Sequence, residues 1–303
     1  MSYEIESFPN GQKSVRNSTF GESMHSSIGP WEEANLIYVG QSNLKERLRR
    51  HEPGPLIIYD IGLGIAANAL ALIQAHSLVS NEQSRDVHLI SFESDIEGLK
   101  YAFNHQQHFP FLQEKTMPFL KENKNLIELI SKNFLSTNNQ SQRSFSFQSQ
   151  SGATIKWELR TGNFLGYELE SQLPAPELIY FDFYSPKSSP ELWNYRTFSS
   201  LYKTTEPRRK AKQTSTLLTY TSSTAVRSAM ILAGFKVGYG IQTSKKFETT
   251  IACTDKNKLT RPLGQEWLEH LARSSKPLPS DYPYDIPSEA IRKISQILKS
   301  KSN

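Results

Sequence analysis

The stretch Leu56-Ile57-Ile58-Tyr59-Asp60-Ile61-Gly62-Leu63-Gly64-Ile65-Ala66-Ala67-Asn68 decides how the rest of the chain is read. Its first half is a short apolar run between Pro55 and two glycines, as expected of a strand buried on both faces of a parallel sheet. Gly62 and Gly64 then allow a tight turn and a close backbone approach to a ligand, and the run Ala66–Leu78 is rich in helix formers. Strand, glycine turn and helix in that order make a nucleotide cradle. Glycine turns also serve packing alone, so the neighbouring sequence has to decide between the two.

Downstream, Val87–Glu93 predicts a second strand with a carboxylate at its end, where doubly wound sheets bind ribose. About thirty residues separate Glu93 from the glycines, longer than the roughly twenty of a dinucleotide fingerprint, so a longer intervening helix is expected. Residues 95–133 read as mainly helical, with stripes at Ile96, Leu99 and Phe103 and at Leu126, Ile127, Leu129 and Ile130. Ser136–Ser151, rich in Ser, Gln and Asn, reads as a flexible surface excursion. Thr154–Leu159 alternates as a strand and leads into Gly162-Asn163. Glu177–Asp182 is another apolar strand ending in a carboxylate, followed by Phe183-Tyr184-Ser185-Pro186, which places an acid and flat rings at the ligand edge of the sheet.

A helix is expected to start at Pro190 with Ser189 as its cap. The basic run Pro207–Lys212 reads as a loop, either a solvated face or a contact for a phosphate backbone. Strand Ser215–Tyr220, helix Ala225–Ala233 and the strands around Val237 and at Phe247–Ala252 fit a closing antiparallel hairpin. The expected fold is therefore α/β and Rossmann-like: a seven-stranded, mostly parallel sheet with helices on both faces. Its parts are an N-terminal elaboration over 1–50, a catalytic domain over 51–255 with the excursion near 136–151, and a tail over 256–303 packed on that domain.

Composition bounds the chemistry. The 303 residues are 37% hydrophobic, and no apolar stretch approaches the roughly 20 residues needed to span a bilayer. The polar N-terminus lacks the apolar core of a secretory signal, so a cytoplasmic protein without a membrane partner is expected. The single Cys253 excludes an internal disulfide and a cysteine-based zinc site, and no metal is expected. A net charge of +5 hints at a polyanionic partner. His25 is either structural or a proton carrier.

Taken together, Asp60-Ile61-Gly62-Leu63-Gly64, Glu93, Gly162-Asn163 and Asp182–Pro186 resemble the class I methyltransferases that use S-adenosylmethionine. Phe20–Ser26, Asp182–Lys187 with Pro190–Trp193, and Leu218–Ser222 with Val226-Arg227 resemble more narrowly the MnmC-like, or MnmD, tRNA methyltransferases. The resemblance runs from about Phe20 to about Pro279. It implies an enzyme that methylates the aminomethyl group of a modified wobble uridine in tRNA; the oligomeric state is left open, with a monomer expected. It also implies that Asp60, Gly62, Gly64, Asn68, Glu93, Gly162 and Asn163 hold the cofactor, that Asp182 faces the methyl group, and that Glu33 lies near the site. Phe183 and Tyr184 would flank the base. The chain departs from the family with Asn163 in place of Asp and Ile65-Ala66 in place of Thr-Gly. The rival readings are a methyltransferase acting on another amine and a noncatalytic RNA-binding protein of the same fold.

Overall fold

Strand β4, Leu56–Ile61, is buried at Leu56, Ile58, Tyr59, Asp60 and Ile61, as its unbroken apolar run requires. A computed structural model describes residues 3–50, 52–79, 84–123, 125–136, 140–149, 152–164, 173–243 and 248–300. The other strands are β1 Tyr3–Ser7, β2 Lys13–Asn17, β3 Glu22–Ser23, β5 Val87–Glu93, β6 Gln142–Gln148, β7 Thr154–Thr161, β8 Leu178–Phe181, β9 Thr216–Thr219, β10 Lys236–Gln242 and β11 Glu248–Cys253. The α-helices are α1 Pro30–Glu33, α2 Leu44–Leu48, α3 Ala67–Ser77, α4 Glu97–Asn104, α5 Phe119–Glu122, α6 Leu126–Phe134, α7 Tyr195–Thr204, α8 Glu206–Lys210, α9 Thr224–Ala233, α10 Gln265–Arg273 and α11 Pro287–Lys299.

β1, β2 and β3 form a small sheet, and the larger sheet runs β10-β11-β9-β8-β4-β5-β7-β6. Among the described residues it therefore has eight strands, not the expected seven. The extra one is β6, inside the stretch read as a surface excursion. Its Ser and Gln residues alternate with Phe145 and Phe147, which are buried, and Phe145 packs at 5.0 Å from Phe134 and 5.8 Å from Trp157. Composition described the solvent face of this strand, whereas the period-two aromatics carried the signal for it.

The chain divides into two compact units, Met1–Tyr167 with Tyr180–Asp182, and Glu168–Ile179 with Phe183–Asn303. In the first, β4 pairs with β5 and β5 with β7, both in parallel, while β6 runs antiparallel along β7. The registers Ile61↔Phe92 and Glu93↔Thr161 bring the carboxyl ends of the three parallel strands to one edge. Helix α3 is buried over nearly its whole length, which its Ala-rich, all-round apolar sequence permits. Helix α1 runs on into a π-helical stretch, Ala34–Gly40.

In the second unit β11 pairs antiparallel with both β9 and β10, so the expected hairpin is present. Two local expectations change here. Helix α7 begins at Tyr195, not at Pro190, because Asn194 accepts from Thr197 N at 2.9 Å and Asp281 accepts from the N–H groups of Tyr195 and Arg196. Three capping acceptors there outweigh Ser189 and Pro190. The basic run is the short helix α8, started by Pro207 in its first turn, not a loop. In the tail, α10 buries Trp267 and Leu271 and α11 buries Ala290 and Ile294, while Ser228 Oγ donates to Pro277 O at 2.6 Å. Among the described residues no helix is long and apolar enough to cross a membrane.

Candidate active site

The carboxyl edge of the first unit gathers most of the residues singled out in the sequence. Gly62 N–H and Leu63 N–H both reach Phe92 O, at 2.9 and 3.3 Å, which folds the turn after β4 against β5. Gly64 N–H donates to Glu93 Oε2 at 2.8 Å, and Ser94 N–H and Oγ donate to Glu93 Oε1. Glu93 is thus oriented by the glycine turn itself. The surrounding protein desolvates its carboxyl and raises its pKa, and these three hydrogen bonds oppose that shift.

Gly64 has φ +53°, and a Cβ placed on it would meet only Met24 Sδ, at 3.9 Å. The turn therefore has open space in front of it. Ala66, at φ 66°, also adopts the left-handed conformation although it carries a Cβ. Gly162 sits at φ 138° after β7, its N–H on Glu93 O at 2.9 Å, and the exposed Asn163 follows. Glycine turn, Glu93 and the Gly162 corner are consequently neighbours.

A cluster of acids lies beside this turn. Asp182 follows β8 and its N–H donates to Ile61 O at 2.8 Å, which places it at the end of β4. Asn68, in the first turn of α3, donates from Nδ2 to Asp182 Oδ2 at 2.7 Å. Burial pushes the Asp182 carboxyl up to about 8, and the charge of Glu33 adds to the shift, against hydrogen bonds from Asn68 and Tyr38. Glu33 is buried, its pKa raised by that burial, and Ser26 donates to its Oε2 from both N and Oγ.

Asp60 is fully buried. Its Oδ2 accepts from Ser91 Oγ at 2.8 Å, and Ser91 Oγ in turn accepts from Trp157 Nε1 at 3.0 Å. Asp60 Oδ1 has no hydrogen-bond partner among the described residues, and burial raises this carboxyl to about 7. Three acids with raised pKa values in one buried place suit a positively charged ligand.

Sequence reading did not assign Ser26 and Tyr38 a role. Ser26 lay within a quoted motif, and Tyr38 follows Glu33 by five residues, a spacing that a π-helical turn brings toward one face and an α-helix does not. Ser14 Oγ lies 3.1 Å from His25 Nδ1, and burial lowers this imidazole to about 4, which favours its neutral form. Phe183 and Tyr184 belong to the second unit. There Tyr220 Oη donates to Phe183 O at 2.9 Å and Trp193 Nε1 donates to Tyr184 O at 2.7 Å, so the loop backbone is fixed by two aromatic residues that pack edge to face.

Residues 122–255, which include Gly162, Asn163 and Asp182, match a family described as S-adenosyl-L-methionine-dependent methyltransferase. The chain is an S-adenosylmethionine-dependent methyltransferase. A curated relative is the tRNA 5-methylaminomethyl-2-thiouridine biosynthesis bifunctional protein MnmC of Aeromonas hydrophila subsp. hydrophila, 25% identical over 235 residues. The match covers 72% of this chain and 30% of that relative, so the chain spans less than a third of the relative's length. Among solved structures, MnmC2 from Aquifex aeolicus superposes with a TM-score of 0.64 at 19% identity, covering 98% of this chain and 84% of that one, and shares its fold.

Proposed function

We propose that this methyltransferase acts on the aminomethyl group of a modified wobble uridine in tRNA, converting the primary amine to a methylamine. The observation that carries the reading is the Asn68–Asp182 hydrogen bond at the end of β4, which holds a carboxyl of raised pKa beside the glycine turn. An alkylamine has a pKa of roughly 8 to 10, and proton transfer is most effective between groups of matched pKa. An ordinary carboxylate is too weak a base for such a proton, whereas Asp182 is close to matched.

The residues at the turn fit the cofactor. The space in front of Gly64 admits close backbone approach, Glu93 keeps lone pairs for ribose hydroxyls beyond its three protein donors, and the buried acids suit a sulfonium cation. In this reading Gly62, Gly64 and Glu93 hold the nucleoside, with Gly162 and Asn163 beside the adenine and Asp60 and Asn68 at the inner end. S-adenosylmethionine, when bound, supplies an electrophilic methyl group on a positively charged sulfur.

Asp182 takes the proton that the acceptor nitrogen must lose before its lone pair can form the new C–N bond. Asn68 fixes the carboxylate through Oδ2, and lone pairs beyond its protein donors serve that nitrogen. Glu33, held by Ser26, adds negative charge that favours an ammonium-bearing nucleoside. Alignment supplies most of the acceleration, because in-line displacement needs little beyond orientation and exclusion of water. The protein works in the cytoplasm, where tRNA is found.

Mass spectrometry of wobble nucleosides tests the assignment. The purified chain, given S-adenosylmethionine and tRNA bearing 5-aminomethyluridine, is expected to yield the methylaminomethyl nucleoside. Unmodified product with this tRNA, together with methyl transfer to a small amine, would favour another acceptor.

A further inference from the structure

Away from the acids described above, the second unit carries a cavity of about 520 Å³ lined by Arg209, Lys212, Lys236 and Lys256. That volume lies within the range of small-ligand sites, roughly 300–1,000 Å³. Its lining also has an apolar part, to which Leu259, Ile297 and Leu298 belong, beside the polar Gln213, Thr214 and Asn257. The one carboxylate in the described lining, Asp255, accepts from Asn257 N at 3.0 Å as the cap of a 3-10 turn. Lys212, Lys236 and Lys256 have no carboxylate within ion-pair distance among the described residues.

The basic run thus splits by task. Arg208 turns to Glu177 at 3.3 Å and to Thr214 O, and Lys210 pairs with Glu206 at 2.9 Å. Arg209, stacked over the Tyr202 ring at 4.1 Å, and Lys212 line the cavity. Cations together with an apolar part of the lining match a nucleotide, whose phosphate takes the charges and whose base takes the apolar part.

We propose that this cavity seats one nucleotide of a single-stranded part of the RNA substrate, with its phosphate against the lysines and its base against the apolar part of the lining. The inference rests on the tRNA reading. It assigns the second unit an anchoring role that uses no residue of the acid cluster.

The test is tRNA binding by the full chain as a function of salt, followed by fluorescence anisotropy, for the triple variant Lys212→Glu, Lys236→Glu, Lys256→Glu. Each phosphate contact to a single strand contributes about 0.7 to the slope of log K against log salt. With one phosphate seated, the slope is therefore expected to fall by about 0.7, and affinity at 100 mM salt to fall by at least about tenfold. Calorimetric binding of S-adenosylmethionine and the melting temperature should not change.

The variant Lys45→Glu, Lys121→Glu, Lys132→Glu carries the same charge change in the first unit and should lose far less affinity. Equal losses in the two variants would reduce the effect to net charge and overturn the proposal. Ile297→Trp, which fills the cavity, should weaken octauridylate binding without changing the slope; unchanged binding would remove the base seat. Displacement of octauridylate by a polyglutamate peptide of equal charge would identify the occupant as an acidic protein segment. Wild-type protein that methylates tRNA alongside unaffected variants would refute only this site, whereas wild-type protein that neither binds nor methylates tRNA would refute the functional reading itself.

Discussion

Asn68 Nδ2 donates to Asp182 Oδ2 at 2.7 Å, joining residues 114 positions apart in sequence. The bond favours the charged form of a carboxyl that burial and Glu33 push the other way. Asp182→Asn is expected to lower kcat by about 10²- to 10⁴-fold, the usual contribution of a positioned base, and to weaken calorimetric S-adenosylmethionine binding far less. A rate unchanged at saturating tRNA would rule out the role.

Removing the donor separates positioning from chemistry. Asn68→Ala should move the rising limb of the pH–rate profile to higher pH, because the carboxylate loses a stabilising partner. Hydrogen bonds to charged groups contribute about 1.5–3 kcal/mol, so a loss of roughly one to two decades at neutral pH is expected, partly recovered at alkaline pH. A uniform drop across the profile would indicate a purely structural effect.

Stability should fall as pH rises. The Asp182 and Asp60 carboxyls titrate near 8 and near 7 in the folded chain, above their ordinary values near 4. Between those limits the folded chain binds more protons than the unfolded one, so their contribution is fully present below about pH 4 and is lost as pH climbs through 7 and 8. Thermal melts at constant ionic strength are expected to show a lower Tm at pH 8.5 than at pH 6, with a shallower dependence in Asp60→Asn. Parallel curves for wild type and variant would count against the assignment.

Ala66 occupies a conformation that costs an L-residue roughly 1–2 kcal/mol. Ala66→Gly relieves that strain but makes the unfolded chain more flexible by about 0.4–1 kcal/mol, leaving a net gain of the order of 0.5–1 kcal/mol. Denaturant titration should show a higher midpoint at constant m-value. A lower midpoint would mean that the Ala66 methyl packs better than its backbone suggests.

Neighbouring cations of one run should behave differently. Arg208 faces Glu177, which is 1% exposed, so Arg208→Ala removes a counter-charge from a buried carboxylate and should lower the melting temperature. Lys210→Ala breaks only the exposed pair with Glu206 and should leave the melting temperature unchanged. Similar melting shifts for both would contradict the division of the run.

The β4 turn and the acidic ends of β5 and β8 were legible because each rests on local pattern: an unbroken apolar run, two glycines, a terminal carboxylate. The Asn68–Asp182 bond was not legible: the resemblance assigned each residue a place near the cofactor without pairing them, and nothing local couples those positions. β6 escaped because Ser and Gln on its solvent side outnumber Phe145 and Phe147. α7 was placed too early because part of its cap, Asp281, comes from 86 residues downstream of Tyr195. The π-helical turn after Glu33, which directs Tyr38, has no composition signature comparable to a glycine or proline.

The bond across 114 residues also bears on when the enzyme becomes competent during synthesis. The glycine turn and Glu93 are joined by contacts spanning about a quarter as much chain, so a nascent polypeptide can shape that part early. Asp182 joins β4 only after β8 has left the ribosome. A growing chain is therefore expected to acquire the proposed cofactor cradle before the proposed base, and a ribosome-bound fragment ending short of β8 should take up the methyl donor without being able to use it.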